Sequence, residues 1–158
     1  MLPKDRELNI KRSFYRFLYE HLSLDYFINY SEASGQTLEE RQNNRVDGWW
    51  KWIDLHWIKI GDGIFSISLL QVNCNTVIEE DRYGASLDEM GDDLQDELNI
   101  DSFPLLDFSN DPENPIPTDN VLIPRFRGSR SMPNAAGDTV NVKAMDWNIY
   151  VYRESVLP

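Results

Sequence analysis

Residues 46–78 read VDGWWKWIDLHWIKIGDGIFSISLLQVNCNTVI, and they constrain the architecture more than any other segment. The first half alternates with the two-residue period of a β-strand, which places Ile53 and Leu55 on one side. Residues 61–63, Gly-Asp-Gly, are typical of a turn, and a second apolar run follows from 64 to about 78. The segment therefore predicts a long β-hairpin.

The second strand of this hairpin changes phase partway along. Ile67 and Leu69 alternate with serines, whereas Leu70, Val72 and Cys74 are the apolar positions beyond them. A side-chain period of two cannot shift in this way without an extra residue. We therefore expect a β-bulge or a change of face near Leu69 and Leu70.

Two segments, 4–22 and 84–99, have the period of amphipathic helices. Their apolar stripes consist of Ile10, Phe14, Phe17, Leu18, His21 and Leu22, and of Leu87, Met90, Leu94 and Leu98. Ser86, followed three residues later by Glu89, fits a capping box at the start of the second helix. Each helix is therefore expected to bury one side against a sheet.

The remaining segments complete one domain. Further strands are predicted at 24–30, 105–108, 121–126 and 140–152. A polar insertion or short surface helix is predicted at 31–45, and long loops are predicted at 109–120 and 128–138. This order predicts a single α+β domain over 1–158, with an antiparallel or mixed β-sheet that includes the long hairpin and two main helices packed on one face.

The negative charge is concentrated in one segment. The chain has a formal net charge of −12, and residues 79–119 contain 14 acidic side chains and one basic side chain. A field of this sign repels nucleic-acid phosphates. We therefore expect a surface that DNA can pass without binding.

The expected compartment follows from three observations. The single cysteine excludes an internal disulfide, and the first residues are charged where a signal peptide requires an apolar run. No stretch approaches the roughly 18–20 apolar residues of a membrane span. We expect a protein that stays in the cytoplasm or is packed into a particle assembled there, with no membrane partner.

No sequence motif supports an enzyme. His21 falls on an apolar helix stripe, and His56 shares a strand face with Asp54, a pair that can bind a metal but is more often a polar patch. Cys74 has the character of a small buried residue and not of a nucleophile. Zinc spacings, an EF-hand loop and a phosphate-binding glycine loop are absent from the sequence. We predict a protein without catalysis, metal or cofactor.

Two clusters are candidates for contact with a partner or a second subunit. The first is Trp49, Trp50 and Trp52, because adjacent strand residues face opposite sides and cannot all lie in the core. The second is Arg125, Arg127 and Arg130 at the base of the 128–138 loop, with the acidic segment as its complement. A solvated loop with ordinary charges is the alternative for the arginines.

The order of elements resembles that of the tail-terminator (tail-completion) proteins of tailed bacteriophages. The resemblance covers most of the chain except 31–45. It rests on a first helix around Phe14, an apolar strand at 65–74, a glycine and helix at 84–94, and a closing strand at 145–152. These segments match a pattern of elements, since the family has no catalytic signature.

The resemblance implies a structural virion protein of the tail and neck, assembled in the host cytoplasm. Such proteins form a six-fold ring on the completed tail tube, end its growth and join it to the head connector. The implied partners are other copies of the chain, the tail tube protein and a head-side connector or stopper. DNA passes without specific binding, through a lumen that carboxylates of the second helix are expected to line. The candidate lumen residues are Asp88, Asp92, Asp93 and Asp96.

Three alternatives remain open. A different neck or head-completion protein, such as a stopper or adaptor, is also small and ring-forming. An acidic DNA-mimic inhibitor would bind a basic protein in a salt-sensitive way. A carboxylate-metal enzyme ranks last, because no carboxylate pair stands apart as an acid and a base.

Overall fold

The computed structural model describes residues 3–22, 26–29, 48–61, 66–131 and 137–153. The predicted insertion at 31–45 lies outside these residues. The elements are α1 (Pro3–Leu22), β1 (Phe27–Asn29), β2 (Lys51–Lys59), β3 (Ile67–Val77), α2 (Ala85–Leu98), β4 (Phe103–Asp107), β5 (Ile116–Ser131) and β6 (Val140–Arg153). The described part of the chain is thus an α+β structure with two helices.

The six strands form one mixed sheet in the order β1-β2-β3-β6-β5-β4. β1 runs parallel to β2, and every other neighbouring pair is antiparallel. β2 and β3 pair as neighbours, but the connection at 62–65 lies outside the described residues, so the long hairpin stays a prediction.

The predicted alternation on β2 and β6 is confirmed by burial. Ile53 and Leu55 are buried on β2, and Trp147, Ile149 and Val151 are buried on β6. Intervening residues of both strands are half-buried or exposed. One face of these strands therefore contributes to the hydrophobic core, as a period of two requires.

The expected irregularity near Leu69 and Leu70 occurs on the neighbouring strand. Leu70 is paired with Trp57 and Leu69 with Lys59, so Ile58 is the extra residue of a bulge in β2. β3 pairs with β6 without a shift over its whole length. The apolar residues of early β3 therefore lie on the face away from Leu70, and the exposed Ile67 is one of them.

β5 is longer than the sequence indicated, and this corrects both loop predictions. The strand begins at Ile116, so 116–120 is not loop, and it continues to Ser131, so 128–131 is not loop either. Its register against β6 shifts between Phe126 and Gly128. The strand persists because β4 pairs with its first residues, at Ile116 and Pro117, and β6 pairs with the rest, from Asn120 to Ser131. This pairing between distant segments is a long-range effect that local composition does not encode.

Helix α2 buries the predicted stripe, but its predicted capping box is wrong. Gly84 is the N-cap, with φ of 73°, and no side-chain hydrogen bond caps the helix from that position. Instead, the Asp81 carboxylate accepts hydrogen bonds from the backbone N–H of Ser86 at 3.1 Å and of Leu87 at 3.0 Å. The Thr76 hydroxyl donates to the same carboxylate at 2.9 Å, which ties the end of β3 to the start of α2.

Helix α1 packs in the core through Ile10, Phe14, Leu18 and Leu22, all buried. The Phe14 ring contacts Trp57 of β2 and Phe103 of β4, with centroid distances of 5.6 and 5.8 Å. Residues of α1, α2 and all six strands join one hydrophobic cluster. The cluster fixes the strands on which the polar surfaces are displayed.

Asp81→Ala should lower the free energy of unfolding by about 2–4 kcal/mol, because it removes the helix cap and leaves buried N–H and O–H donors without an acceptor. Ser86→Ala is the matched control and should cost no more than about 0.5 kcal/mol. Urea denaturation of both variants measures the difference. If both variants lost the same free energy of unfolding, the Ser86 side chain would contribute to capping as much as Asp81 does, and the assignment of the cap to Asp81 would be wrong.

Candidate functional site

The three candidate tryptophans occupy two kinds of structure. Trp49 and Trp50 lie in a turn that precedes β2, so the expectation that they face opposite sides of a strand is wrong. Both are half-buried, and the Lys51 ammonium lies 5.4 Å from the Trp50 ring centroid and 5.2 Å from that of Tyr26. Trp52 is on β2, where it is half-buried. The turn and the strand together present three half-buried tryptophans, and the Lys51 ammonium lies near the rings of Trp50 and the buried Tyr26.

Trp52 belongs to a polar network on the sheet. Its indole N–H donates to Asp54 at 3.2 Å, and the Asn75 amide donates to the same carboxylate oxygen at 3.0 Å. Asp54, which was expected to share a strand face with His56 as a polar patch or a metal-binding pair, accepts hydrogen bonds from neighbouring amide and indole groups. His56 is exposed opposite Gln71. The geometry favours a structural role for the Asp54 carboxylate.

The network continues towards β5 through Arg130. Its guanidinium donates to Asp146 and to the Gln71 side chain, the latter at 3.2 Å, and Gln71 donates to Asn73 at 2.8 Å. The Arg130 charge is therefore compensated within the chain. Arg130 lies on β5, so the expectation that it lies at the base of a loop is wrong, whereas its contact with a partner stays a prediction.

Arg125 and Arg127 also lie on β5 and not in a loop. Arg125 donates to the backbone carbonyls of Ile100 at 3.3 Å and Pro124 at 2.8 Å, which leaves its charge without a carboxylate partner in those contacts. Arg127 is the exposed extra residue of the bulge at Phe126 to Gly128. A bulge redirects a side chain, so Arg127 projects from the edge region of the sheet.

A groove of about 420 Å³ lies where α2 ends against β5. Its lining includes Asp96, Asp101, Arg125, Phe126 and Trp147. Phe126 is 42% exposed and contacts the Trp147 ring at 5.0 Å between centroids. The buried Trp147 indole N–H has no hydrogen-bond partner among the described residues. Arg125 and Asp96 thus line the same groove of one chain, and the expected contact of the arginines with a second subunit stays a prediction.

The four candidate lumen carboxylates are not equivalent. Asp88, Asp92 and Asp96 are exposed and recur every four residues, so they form one stripe along α2. Asp93 is half-buried and accepts a hydrogen bond from the Tyr26 hydroxyl at 2.6 Å. Asp88 has one long contact, 3.5 Å, with the Lys143 ammonium. The exposed stripe therefore consists of Asp88, Asp92 and Asp96, while Asp93 joins α2 to the β1 region.

The remaining reactive side chains have structural surroundings. His21 is exposed at the end of α1, where Nδ1 lies 2.7 Å from the Phe17 carbonyl and the imidazole ring lies 4.1 Å from the Phe17 ring, tilted by 31°. Cys74 is fully buried, as predicted. Within the described ranges, no group of three His, Cys, Asp or Glu side chains could hold a metal ion. Neither described helix has the length and apolar character to cross a bilayer.

Two surface features were missed by the sequence analysis. Tyr83 is 97% exposed in the turn between β3 and α2. A second groove, of about 250 Å³, lies beside α1 and the start of the loop after β4. Its lining residues are Arg12, Tyr15, Arg16, Tyr19, Phe108 and Pro112. The sequence feature that could have indicated this groove is the pair Tyr15 and Tyr19, which are four residues apart and lie off the apolar stripe of α1.

Comparison with known proteins gave no match to a family model and no match to a curated protein.

Cys74 should be unreactive in the folded protein. Burial raises the pKa of its thiol from 9.0 to about 12, so the thiolate fraction near pH 8 falls about a thousandfold. A chromogenic disulfide reagent should react far more slowly with native protein than with urea-unfolded protein. Because the folded-state pKa is raised, the stabilisation from the neutral thiol is complete below pH 9 and is lost as the pH rises towards 12. Equal reaction rates would contradict this burial.

Proposed function

We propose that this chain is a non-enzymatic structural subunit of a ring, of the tail-terminator type found in tailed bacteriophages. In this role the ring ends the tail tube, joins it to a head-side connector and lets DNA pass. The virion tail and neck are its proposed location. We further propose that β2 and β3 form the predicted long hairpin and that both helices pack on one face of the sheet. The hydrophobic cluster that both helices share with the strands supports the placement of the helices.

The observation that carries the proposal is the carboxylate stripe of α2. Leu87, Met90 and Leu94 are buried against the sheet, so Asp88, Asp92 and Asp96 face solvent. Successive stripe residues are four positions apart, which is about 6 Å along a helix. In a ring, this stripe would supply a like-charged wall that repels DNA phosphates.

The one-sided charge also fits the role of a spacer around DNA better than that of an enzyme. Two candidates for chemistry have structural surroundings, since Asp54 accepts hydrogen bonds from Trp52 and Asn75 and Cys74 is buried. The groove at α1 is lined mainly by aromatic and arginine side chains, a composition typical of protein contacts. The groove at the end of α2 combines Phe126, Trp147 and Arg125 with polar and acidic residues.

A DNA-mimic inhibitor is the second candidate, because the same stripe presents regularly spaced negative charge. The two roles predict different assemblies. A ring protein should give a six-subunit particle with a central hole, measured by light scattering over a concentration series and by negative-stain imaging. A strict monomer that displaces DNA from a basic protein, in a salt-sensitive way, would favour the inhibitor.

Reversal of the stripe tests whether it lines the lumen. A ring of Asp88→Lys, Asp92→Lys, Asp96→Lys protein should retain linear duplex DNA at low salt and lose it as salt rises. Closed circular DNA should not be retained, because it cannot thread a preformed ring.

The matched control is Glu113→Lys, Asp119→Lys, Asp138→Lys, which reverses three exposed carboxylates away from α2 and has the same net charge. We expect this control to treat linear and circular DNA alike. If the α2 variant also retains both forms equally, the stripe lies on the outside of the assembly and the lumen assignment is lost.

A further inference from the structure

Tyr83 is displayed on a rigid support. The turn that carries it is fixed by hydrogen bonds from the Asp81 N–H to the Val77 carbonyl, at 3.1 Å, and from the Gly84 N–H to the Asp81 carbonyl, at 3.1 Å. The Asn141 amide donates to that carbonyl at 3.1 Å. Since the backbone is already ordered, burial of the Tyr83 ring in a partner would cost little further conformational entropy.

The turn has an acidic character that narrows the choice of partner. Glu79, Glu80 and Arg82 are exposed around Tyr83, while the Asp81 carboxylate is occupied by the start of α2. The exposed side chains of the turn therefore carry two negative charges and one positive charge. A single exposed aromatic residue is common on protein surfaces. A fully exposed tyrosine beside two carboxylates is more selective. It fits a partner surface that has an aromatic groove with positively charged side chains at its rim.

The α1 groove has this composition. Its volume of about 250 Å³ is below the roughly 300–1,000 Å³ of small-molecule clefts, and suits one large side chain. Tyr15, Tyr19, Phe108 and Pro112 supply apolar surface, and Arg12 and Arg16 supply positive charge.

One of the two arginines already has a partner that can be exchanged. Arg16 forms an ion pair with Glu20 at 3.0 Å, with both side chains about half exposed. Exposed ion pairs of this kind contribute little to the stability of a protein, so a carboxylate from a partner can replace Glu20 beside Arg16 with little loss of free energy.

The turn and the groove lie at opposite ends of the sheet. Val77 is paired with Val140, so the turn lies where β6 begins. β6 ends at Arg153 beside Asn120, and Ile116, which pairs with Asp107, lies further in that direction. The groove contains Phe108, the next residue after Asp107. A chain therefore cannot fill its own groove. In the proposed ring the contact between copies is head-to-tail, so each subunit offers its turn to one neighbour and its groove to the other.

We propose that Tyr83 of one protomer inserts into the Tyr15–Tyr19–Phe108 groove of a second copy, with Glu79 and Glu80 facing Arg12 and Arg16. The inference rests on the proposed ring and names an anchor of its subunit contact. Aromatic anchors in small pockets dominate the affinity of many larger interfaces.

The first test is Tyr83→Ala in the full chain, studied by sedimentation velocity over a concentration series. The subunit dissociation constant should rise at least about tenfold, with an unchanged urea midpoint for unfolding of the monomer. Ile58→Ala is the control, because it removes an exposed apolar side chain from the β2 bulge. It should leave assembly unchanged.

The second test uses two defective chains. Tyr83→Ala retains the groove, and Arg12→Glu, Arg16→Glu retains Tyr83, so each alone should be monomeric. A mixture should form one-to-one pairs and stop there, because only one competent contact exists between them. A double-mutant cycle that combines Arg12→Glu, Arg16→Glu with Glu79→Arg, Glu80→Arg should recover part of the assembly.

The outcomes separate the two proposals. If the wild-type chain forms a ring and Tyr83→Ala forms it equally well, the anchor is wrong and the ring stands. If the wild-type chain remains monomeric at the highest concentration reached, both are wrong. Pairs that grow beyond two subunits in the mixture would also overturn the head-to-tail contact.

Discussion

Phe14 contacts Trp57 and Phe103 at the same time, and this requires the whole sheet to curl around α1. Those two residues belong to β2 and β4, which are four strand positions apart in the sheet. At about 4.8 Å per position, a flat sheet would separate the two strands by about 19 Å. A single buried ring spans both only because the sheet bends back on itself. The aromatic side chains of α1 thus set the curvature on which the remaining surfaces depend.

The curvature also explains how the functional surfaces are arranged. With the apolar side of α1 inside the curl, Tyr15 and Tyr19 remain beside the loop after β4 and help to form a groove. The carboxylate stripe of α2 is directed outwards because its opposite side is buried. Helix α1 and the region after β4 therefore present the aromatic groove, and helix α2 presents the acidic stripe.

Local periodicity was sufficient to predict the helices, the alternation of β2 and β6 and the burial of Cys74, because each depends on nearby residues. The features that sequence reasoning missed depend on distant ones. Asp81 caps α2 in place of Ser86 because the fold places its carboxylate between Thr76 and the helix start. β5 extends to Ser131 because β6 pairs with it.

Only part of the candidate site could be predicted, again because some of its contacts join residues that are distant in the sequence. The sequence identified the arginines and the acidic helix, but not the contacts that some of these residues make with separate segments. Arg130 forms an ion pair with Asp146, and Asp93 accepts a hydrogen bond from Tyr26. Exposure of Tyr83 follows from the orientation of a turn, which composition does not specify.

The free edge of β4 is closed by side chains of α1. Ser13 accepts from the Leu106 N–H at 2.9 Å, and Asn9 accepts from the Phe108 N–H at 2.9 Å. These partners are more than 90 residues apart in the chain. At about 5–20 residues per second, the ribosome makes α1 some 5–20 s before the edge emerges. The nascent chain therefore carries its own protection against strand pairing with neighbours on the same polysome before the vulnerable strand exists.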